Sequence, residues 1–345
     1  MLTVALDAEH TRQSAAGIAR YARSLARELP ALGDVRVIEL GAGEVVKRGT
    51  IAKKVLTARQ DFAWYPWLAR RSARHQRADV YHSPLPRGPI TRGSPPFVVT
   101  VHDLVPIRHP ETMTRWSRVY SALTFTRILD AADRIIAPSE NTADDLNALA
   151  GISADKVRVV PNGVDELFFD RPKLKRGLST PYILFVGTPE PRKNLMRLEA
   201  AMGLLHSRGF KERLVIVGAG GWKTKLPTSG NVETLGRVAD DELHSLYAHA
   251  SCLVLPSLHE GFGLPALEAM AAGTPVVAAN SGALPEVTGG AAVLVDPVDP
   301  TSIADGIIEA IANRDSLVAR GKVRARQFSW REAARLTANV YRELL

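Results

Sequence analysis

A chain of 345 residues with 46% hydrophobic content is long enough for two ordinary domains with full cores. Its formal net charge of +8 points to anionic partners, yet no helix-turn-helix cue, zinc spacing or RNP-like aromatic motif is present, which excludes nucleic acid as the expected partner. MLTVALDAEH lacks the basic start and long apolar stretch of a secretory leader, no run reaches the roughly 18 apolar residues of a membrane span, and the single Cys252 lies in the apolar run SCLVLP, so the expectation is a cytoplasmic protein, at most peripheral at the inner membrane face.

Short apolar runs rich in Val and Ile alternate with helical patterns along the chain. TVALDA precedes GIARYARSLAREL, then come FVVTVHDLVP, RIIAPS before NTADDLNALA, and VRVVPNG. After VVPNGVD the stretch 166–180 holds charges and turn formers without a sustained period and reads as a linker. A second set follows: YILFVG before KNLMRLEAAMGLL, LVIVGAG, DDELHSLYAHA, CLVLPS, LPALEAM, TPVVAA, and AAVLVD before SIADGIIEAI. This is the rhythm of doubly wound parallel α/β sheets, whose strands are continuously apolar because both faces are covered.

In such sheets ligands lie beyond the carboxyl ends of the strands. YILFVG is followed by Arg192 and Lys193 at a helix start, an arrangement suited to a diphosphate. VVTV is followed by His102, which can donate to a sugar hydroxyl or phosphate or be a satisfied structural histidine. Gly17 opens the helix after the first strand, where its backbone can approach an anion closely. CLVLPS is followed by LHEGFG and then by LPALEAM, a helix apolar on every side except for Glu268. An ionised carboxylate buried there requires hydrogen-bond partners. Glu260 stands eight residues earlier, about 12 Å at helical rise. That matches the reach from the ribose of a nucleotide to a sugar beyond its diphosphate.

HEGFGLPALEAMAAGTPVVAAN resembles the E-x(7)-E segment of the retaining family 4 glycosyltransferases, and VVPNGVD, FVGTPEPRKNL, LVIVGAGGW, LGRVADDELHSLYAHA and GALPEVTGGAAVLVDP look like that family's other landmarks in its order. GIARYARSL, VVTVHDLVPIRHPE, DRIIAPSENT and FSWREAARLTANVYREL look more narrowly like its bacterial mannosyltransferase branch, which builds surface polysaccharides. The resemblance runs nearly end to end. It implies an α/β GT-B fold, with two Rossmann-like domains facing a central cleft. Residues 1–165 would form the acceptor side and 181–329 the donor side, joined by the 166–180 linker, with a last helix at about 330–345 crossing back to the first domain.

Family roles carry over to matching positions. Arg192 and Lys193 would bind the donor diphosphate, and Glu268 the ribose. Glu260, with the amides of Gly261, Phe262, Gly263 and Leu264, would hold the sugar and distal phosphate. Gly17 would approach that phosphate, His102 would contact the sugar near the reacting carbon, Gly187 would belong to the donor-binding set, and Gly236, Arg237 and Val238 would lie by the base. His102, Arg192, Lys193 and Glu260 are thus the expected catalytic groups. In PNGVD, related chains of this branch often carry a different second residue, and Asn162 is given no role.

The chain contains no D-x-D, so the cations are expected to take the place of a metal, with no cofactor beyond the nucleotide-sugar co-substrate. The branch implies mannose transferred from GDP-mannose, with retention, to a saccharide or lipid-linked acceptor. The alternatives are a UDP- or dTDP-sugar used on a small acceptor, and a nucleotide-sugar epimerase. A nicotinamide dehydrogenase is disfavoured because Lys223 occupies the third fingerprint glycine of VGAGGWK, and a non-catalytic binding module because the cation pair coexists with both glutamates. Between Lys47 and Arg92, eleven basic residues face only Asp61 and Asp79. DFAWYPWLARRSARHQR within this stretch suits an anionic membrane interface, or else buried tryptophans beside a solvated face.

Overall fold

The computed structural model describes residues 1–9, 17–41, 57–172, 181–218, 220 and 231–345. Met1–Gly163 with Trp330–Leu345 form one unit, and Val164–Ser329 form the other.

The first unit is built on a six-stranded sheet of β1 (Leu2–Asp7), β2 (Val35–Leu40), β3 (Val80–Ser83), β4 (Phe97–Thr100), β5 (Arg134–Ala137) and β6 (Val157–Val159). They lie in the order β2-β1-β3-β4-β5-β6, every pair parallel. Tyr81, Phe97, Val99, Ile135 and Ala137 pack with Phe125, Ile128 and Leu129 of the helix Arg115–Ala131 on one face. The helix Gly17–Glu28 buries Ala19, Tyr21, Ala22 and Leu25.

The C-terminal helix Trp330–Arg342 belongs to this first unit, and a buried polar chain ties it there. The His82 ring lies 2.6 Å from the Tyr341 hydroxyl and 2.9 Å from Thr100 Oγ1, which in turn meets the Tyr21 hydroxyl at 2.8 Å. Burial pushes His82 down to about 3, so a neutral imidazole links the hydroxyls.

The second unit holds β7 (Tyr182–Val186), β8 (Arg213–Val217), β9 (Val232–Gly236), β10 (Cys252–Leu255), β11 (Val276–Ala279) and β12 (Val293–Val295), all parallel, in the order β12-β11-β10-β7-β8-β9. Alternation along β7 divides its side chains between two cores, as the pleat requires. Tyr182 and Leu184 meet Tyr247, Leu267 and Met270, while Ile183 and Phe185 meet Leu198, Leu205 and Ile307.

Two departures from the sequence expectation have plain causes. Residues 166–169, assigned above to a linker, form a 3-10 turn whose Phe168 is fully buried against Tyr247 and His244, so an aromatic anchor fixes the segment; residues 173–180 of that linker lie outside the described residues. Strands β2, β3 and β9 had no apolar run to announce them. β2 and β9 are edge strands carrying Arg36, Glu39 and Glu233, and β3 has only four residues, two of them polar.

Each sheet reverses its strand order once, between β1 and β3 in the first and between β7 and β10 in the second. At the first reversal Asp7 is wholly buried and accepts from the Tyr81 hydroxyl (2.9 Å), Trp64 Nε1 (3.1 Å) and the Glu9 amide (3.0 Å). Burial outweighs these donors and pushes its carboxyl up to about 6.

A carboxyl held above its unfolded value of 3.8 contributes stability that is present below that value and lost as pH rises through about 6. Asp7→Asn is therefore expected to gain on the parent protein in urea unfolding between pH 4 and 6, by an amount on the order of 3 kcal/mol. A difference that stays flat across that window would contradict the assignment.

Candidate functional site

The reversal between β7 and β10 is where an open parallel sheet leaves a crevice for ligand. Three loops meet there. The chain leaving β7 makes a 3-10 turn, Pro191–Lys193, and Asn194 turns it into the helix Leu195–Ser207 with φ of 61°. Asn194 Nδ2 donates to the carbonyls of Pro256 (2.9 Å) and Pro297 (2.6 Å), pinning the loops after β10 and β12. The Leu258 amide donates to the Arg192 carbonyl at 2.9 Å, and the Ala283 amide to the Glu260 carbonyl at 2.9 Å. Gly282, with φ of 60°, lies so close that a Cβ there would stand 2.6 Å from the Glu260 carbonyl oxygen and 2.8 Å from its nitrogen.

This frame brings Arg192, Lys193 and Glu260 into one nearly dry cluster, together with Glu190 and Ser257. Lys193 Nζ donates to Glu260 Oε1 at 2.5 Å, and Ser257 Oγ donates to the same oxygen at 2.7 Å. Arg192 Nη1 reaches Glu260 Oε2 at 3.1 Å and the His259 carbonyl at 2.5 Å. Its Nε and Nη2 donate to Glu190 Oε1 at 3.1 and 2.6 Å. Burial pushes the Glu260 carboxyl up, but Lys193 and Arg192 beside it prevail and hold it at about 2. Gly187, at the end of β7, lies beside the Lys193 stem, and a Cβ there would stand 3.6 Å from Lys193 Cε.

Gly263, with φ of 97°, caps the helix Leu264–Ala271, which carries Pro265 in its first turn. In its first turn Pro265 has no N–H and the Ala266 amide donates to the Gly263 carbonyl at 2.9 Å, so the Leu264 amide is the one suited to an anion. Phe262 turns inward and packs edge-on against Phe328, with centroids 5.9 Å apart, so only its backbone is available to a ligand. The helix starts at Leu264, not at Glu260. The eight-residue spacing between the two glutamates is therefore not a helical rise, because Gly261 and Gly263 bend the chain first. Glu268 is buried as expected, and the Tyr247 hydroxyl donates to its Oε2 at 2.9 Å. Tyr247 sits on the helix Asp240–His249, which begins two residues after Val238. Gly236 ends the edge strand β9 with φ of 66°. One helix thus connects the expected base-side loop to the expected ribose carboxylate.

Gly17 and His102 belong to the first unit and are described within it. Gly17 is exposed at the head of the helix Gly17–Glu28; residues 10–16 before it lie outside the described residues. His102 follows β4, with its Nε2 2.9 Å from the Pro84 carbonyl and its ring edge-on to Tyr21 at 4.9 Å. Burial lowers its pKa, so it stands neutral with Nε2–H donating to that carbonyl and Nδ1 as an acceptor.

The basic stretch divides in two. Residues 47, 48, 53 and 54 lie outside the described residues. Arg70 is a buried structural residue, donating to the carbonyls of Pro95 (3.0 Å) and Thr91 (2.7 Å), and Arg74 donates twice to the Ser94 carbonyl. Tyr65 is buried and Trp64 is bound to Asp7, whereas Phe62 and Trp67 are exposed. Trp116 donates to buried Asp61 at 2.8 Å and packs on Phe62 at 5.7 Å. Leu68 of the Phe62 segment and Val119 and Leu123 of the Trp116 helix are exposed as well. Arg71, Arg115, Arg118 and Arg127 are exposed in the same sequence stretches, and no acidic residue occurs from Phe62 to Ala78 or from Arg115 to Leu129.

Glu190, Ser257 and Tyr247 were not anticipated from the sequence. Glu190 and Ser257 stand two and three residues before groups that were, a spacing that hints at local bonding. Nothing in the sequence marks Tyr247 as the partner of Glu268.

Residues 168–328 match the family profile described as Glycosyl transferases group 1, and residues 15–166 match Glycosyltransferase Family 4. The chain is 33% identical over 271 residues to an O-antigen chain mannosyltransferase B of Escherichia coli, covering 72% of this chain and 70% of that protein. It is 32% identical over 280 residues to a D-inositol 3-phosphate glycosyltransferase of Corynebacterium jeikeium, covering 72% and 67%. The fold matches that of a sucrose-phosphate synthase from Thermosynechococcus elongatus with a TM-score of 0.77 at 20% identity, covering 100% and 99% of the two chains.

Gly282→Ala places a methyl against the Glu260 peptide and requires a left-handed alanine. The expected outcome is a loss of about 1–3 kcal/mol in stability together with weakened ligand binding at this site. Wild-type unfolding and wild-type binding in this variant would refute the close approach.

Proposed function

From the premise that the chain belongs to the family 4 glycosyltransferases of the GT-B fold, we propose that it moves a mannosyl group from GDP-mannose to a saccharide or lipid-linked acceptor, retaining the anomeric configuration. The observation that carries the reading is the cluster of Lys193, Arg192 and Glu260 at the reversal of the second sheet, ahead of the helix capped by Gly263. Departure of a nucleoside diphosphate develops negative charge on the phosphate and positive charge at the anomeric carbon. Lys193 and the Leu264 amide at the start of that helix are suited to stabilise the former. Glu260 accepts from a sugar hydroxyl, and Glu268 accepts from ribose hydroxyls with its other oxygen steadied by Tyr247. The departing phosphate takes the acceptor's proton on the same face of the sugar. The mannose assignment is supported by the likeness to the O-antigen enzyme; the comparable likeness to the inositol-phosphate enzyme makes the donor the first thing to test.

A lipid-linked acceptor is met at a membrane surface, and the exposed Phe62, Trp67, Trp116, Val119 and Leu123, in stretches that carry exposed arginines and no acidic residue, support contact with an anionic leaflet. Among the described residues no helix is long and apolar enough to cross a bilayer.

In a panel of nucleotide sugars, GDP-mannose is expected to give the highest turnover, and proton NMR of the product an α linkage. A preference for a UDP-sugar would refute the donor, and inversion would refute the mechanism.

Turnover is expected to persist in excess EDTA, since Lys193 supplies the phosphate's counter-charge. Activity abolished by chelation and restored by magnesium would contradict that.

Anionic vesicles are expected to sediment the protein at low salt and release it as salt rises, because surface charges are screened beyond about 8 Å at physiological strength. Replacing Arg115 and Arg118 by Glu is expected to abolish sedimentation while nucleotide binding stays unchanged. Absence of binding at low salt would refute the membrane contact.

A further inference from the structure

The two cations expected to meet the diphosphate differ in what holds them. Arg192 is fixed on three sides, by Glu190 through Nε and Nη2 and by the His259 carbonyl and Glu260 through Nη1. Lys193 has a single ion-pair partner among the described residues, Glu260 Oε1, reached by a flexible four-carbon stem that passes over Gly187. Counting Glu190, Arg192, Lys193 and Glu260, two negative and two positive charges sum to zero in a cluster whose side chains are only 10–13% exposed. A diphosphate entering such a balanced, nearly dry site meets Glu260 as a competing anion.

We propose that Glu260 is an internal counter-anion that the donor's diphosphate displaces from Lys193. Lys193 then crosses to the phosphate, and Glu260 Oε1, relieved of it, turns its capacity to a sugar hydroxyl. Arg192 does not move. Glu190 is the positioning residue that keeps the guanidinium on Glu260 Oε2, so the carboxylate stays in place when its other partner leaves. Diphosphate recognition and sugar recognition are thereby coupled through one lysine. A donor must present both groups to replace the whole of what it breaks, while a free sugar cannot open the ion pair.

This rests on the reading of the site as a nucleotide-sugar site, and the test separates the two. GDP and UDP are titrated calorimetrically into the full chain and its Glu260→Gln, Glu260→Asp and Glu190→Gln variants, with folding checked by thermal melts. Glu260→Gln is expected to bind the preferred nucleoside diphosphate about tenfold more tightly than the parent, the scale of one charge-assisted bond no longer given up, while sugar transfer falls. Glu260→Asp keeps the charge but withdraws it from Lys193, and is expected to show a smaller gain. It also serves where the glutamine variant fails to fold. Glu190→Gln removes the same charge without touching Lys193. It is expected to leave diphosphate affinity within about twofold while lowering kcat. Equal affinity in the parent and both Glu260 variants would overturn the exchange. So would an equal gain in Glu190→Gln, which would make net charge alone responsible. Failure of both GDP and UDP to bind the parent would instead overturn the nucleotide-sugar reading.

Discussion

The carboxylate of Glu260 is the point on which the second unit's site turns. It lies between Lys193 and Arg192, with a hydroxyl from Ser257, in surroundings dry enough to make each of those contacts strong. Buried charges persist only where geometry is good and every partner is in place. That requirement explains why so much backbone is committed nearby. Gly282 lets the loop after β11 lie against the Glu260 peptide, and Asn194 ties together the turns after β10 and β12. The sheet topology supplies the location, since β7 and β10 are neighbours whose connections leave in opposite directions, opening a crevice at their carboxyl ends.

In the first unit an equivalent reversal, between β1 and β3, is closed by Asp7 and its three donors. Beside it the His82–Thr100–Tyr21 chain joins the C-terminal helix to the strand that leads into His102. Tyr21 stacks edge-on against His102 as well as closing that chain, so the placement of the last helix and the orientation of the histidine share one residue.

Much of this was legible in the sequence, for a physical reason. Central strands of a parallel sheet are buried on both faces, so β1, β4, β7, β8, β10 and β11 read as unbroken apolar runs. The edge strands β2 and β9 are half solvated, carry charges, and were silent. Glu268 was legible because a lone carboxylate in an apolar helix has to be bonded to something; that the partner is Tyr247, twenty-one residues earlier, is a fact of helix packing that no local pattern encodes. Arg192 and Lys193 were legible as cations, but their difference was not. Sequence makes them adjacent equals, whereas folding buries Arg192 against Glu190 and Glu260 and leaves Lys193 one ion-pair partner among the described residues. The aromatic-basic stretch was legible only in part for the same reason. Its residues alternate between core and surface, Tyr65 inward and Phe62 and Trp67 outward along the π-helical segment Gln60–Leu68 and Arg70 inward on the α-helix Ala69–His75, and Trp116, distant in sequence, packs on Phe62.

The central claim is that the β7–β10 reversal is where a nucleoside diphosphate binds. A crystal structure of the chain soaked with GDP tests it most directly. The account predicts phosphate oxygens within hydrogen-bond distance of Lys193 Nζ and of the Leu264 amide at the start of the helix Leu264–Ala271, with ribose against Glu268. A nucleotide bound elsewhere, with the Lys193–Glu260 contact untouched, would contradict it.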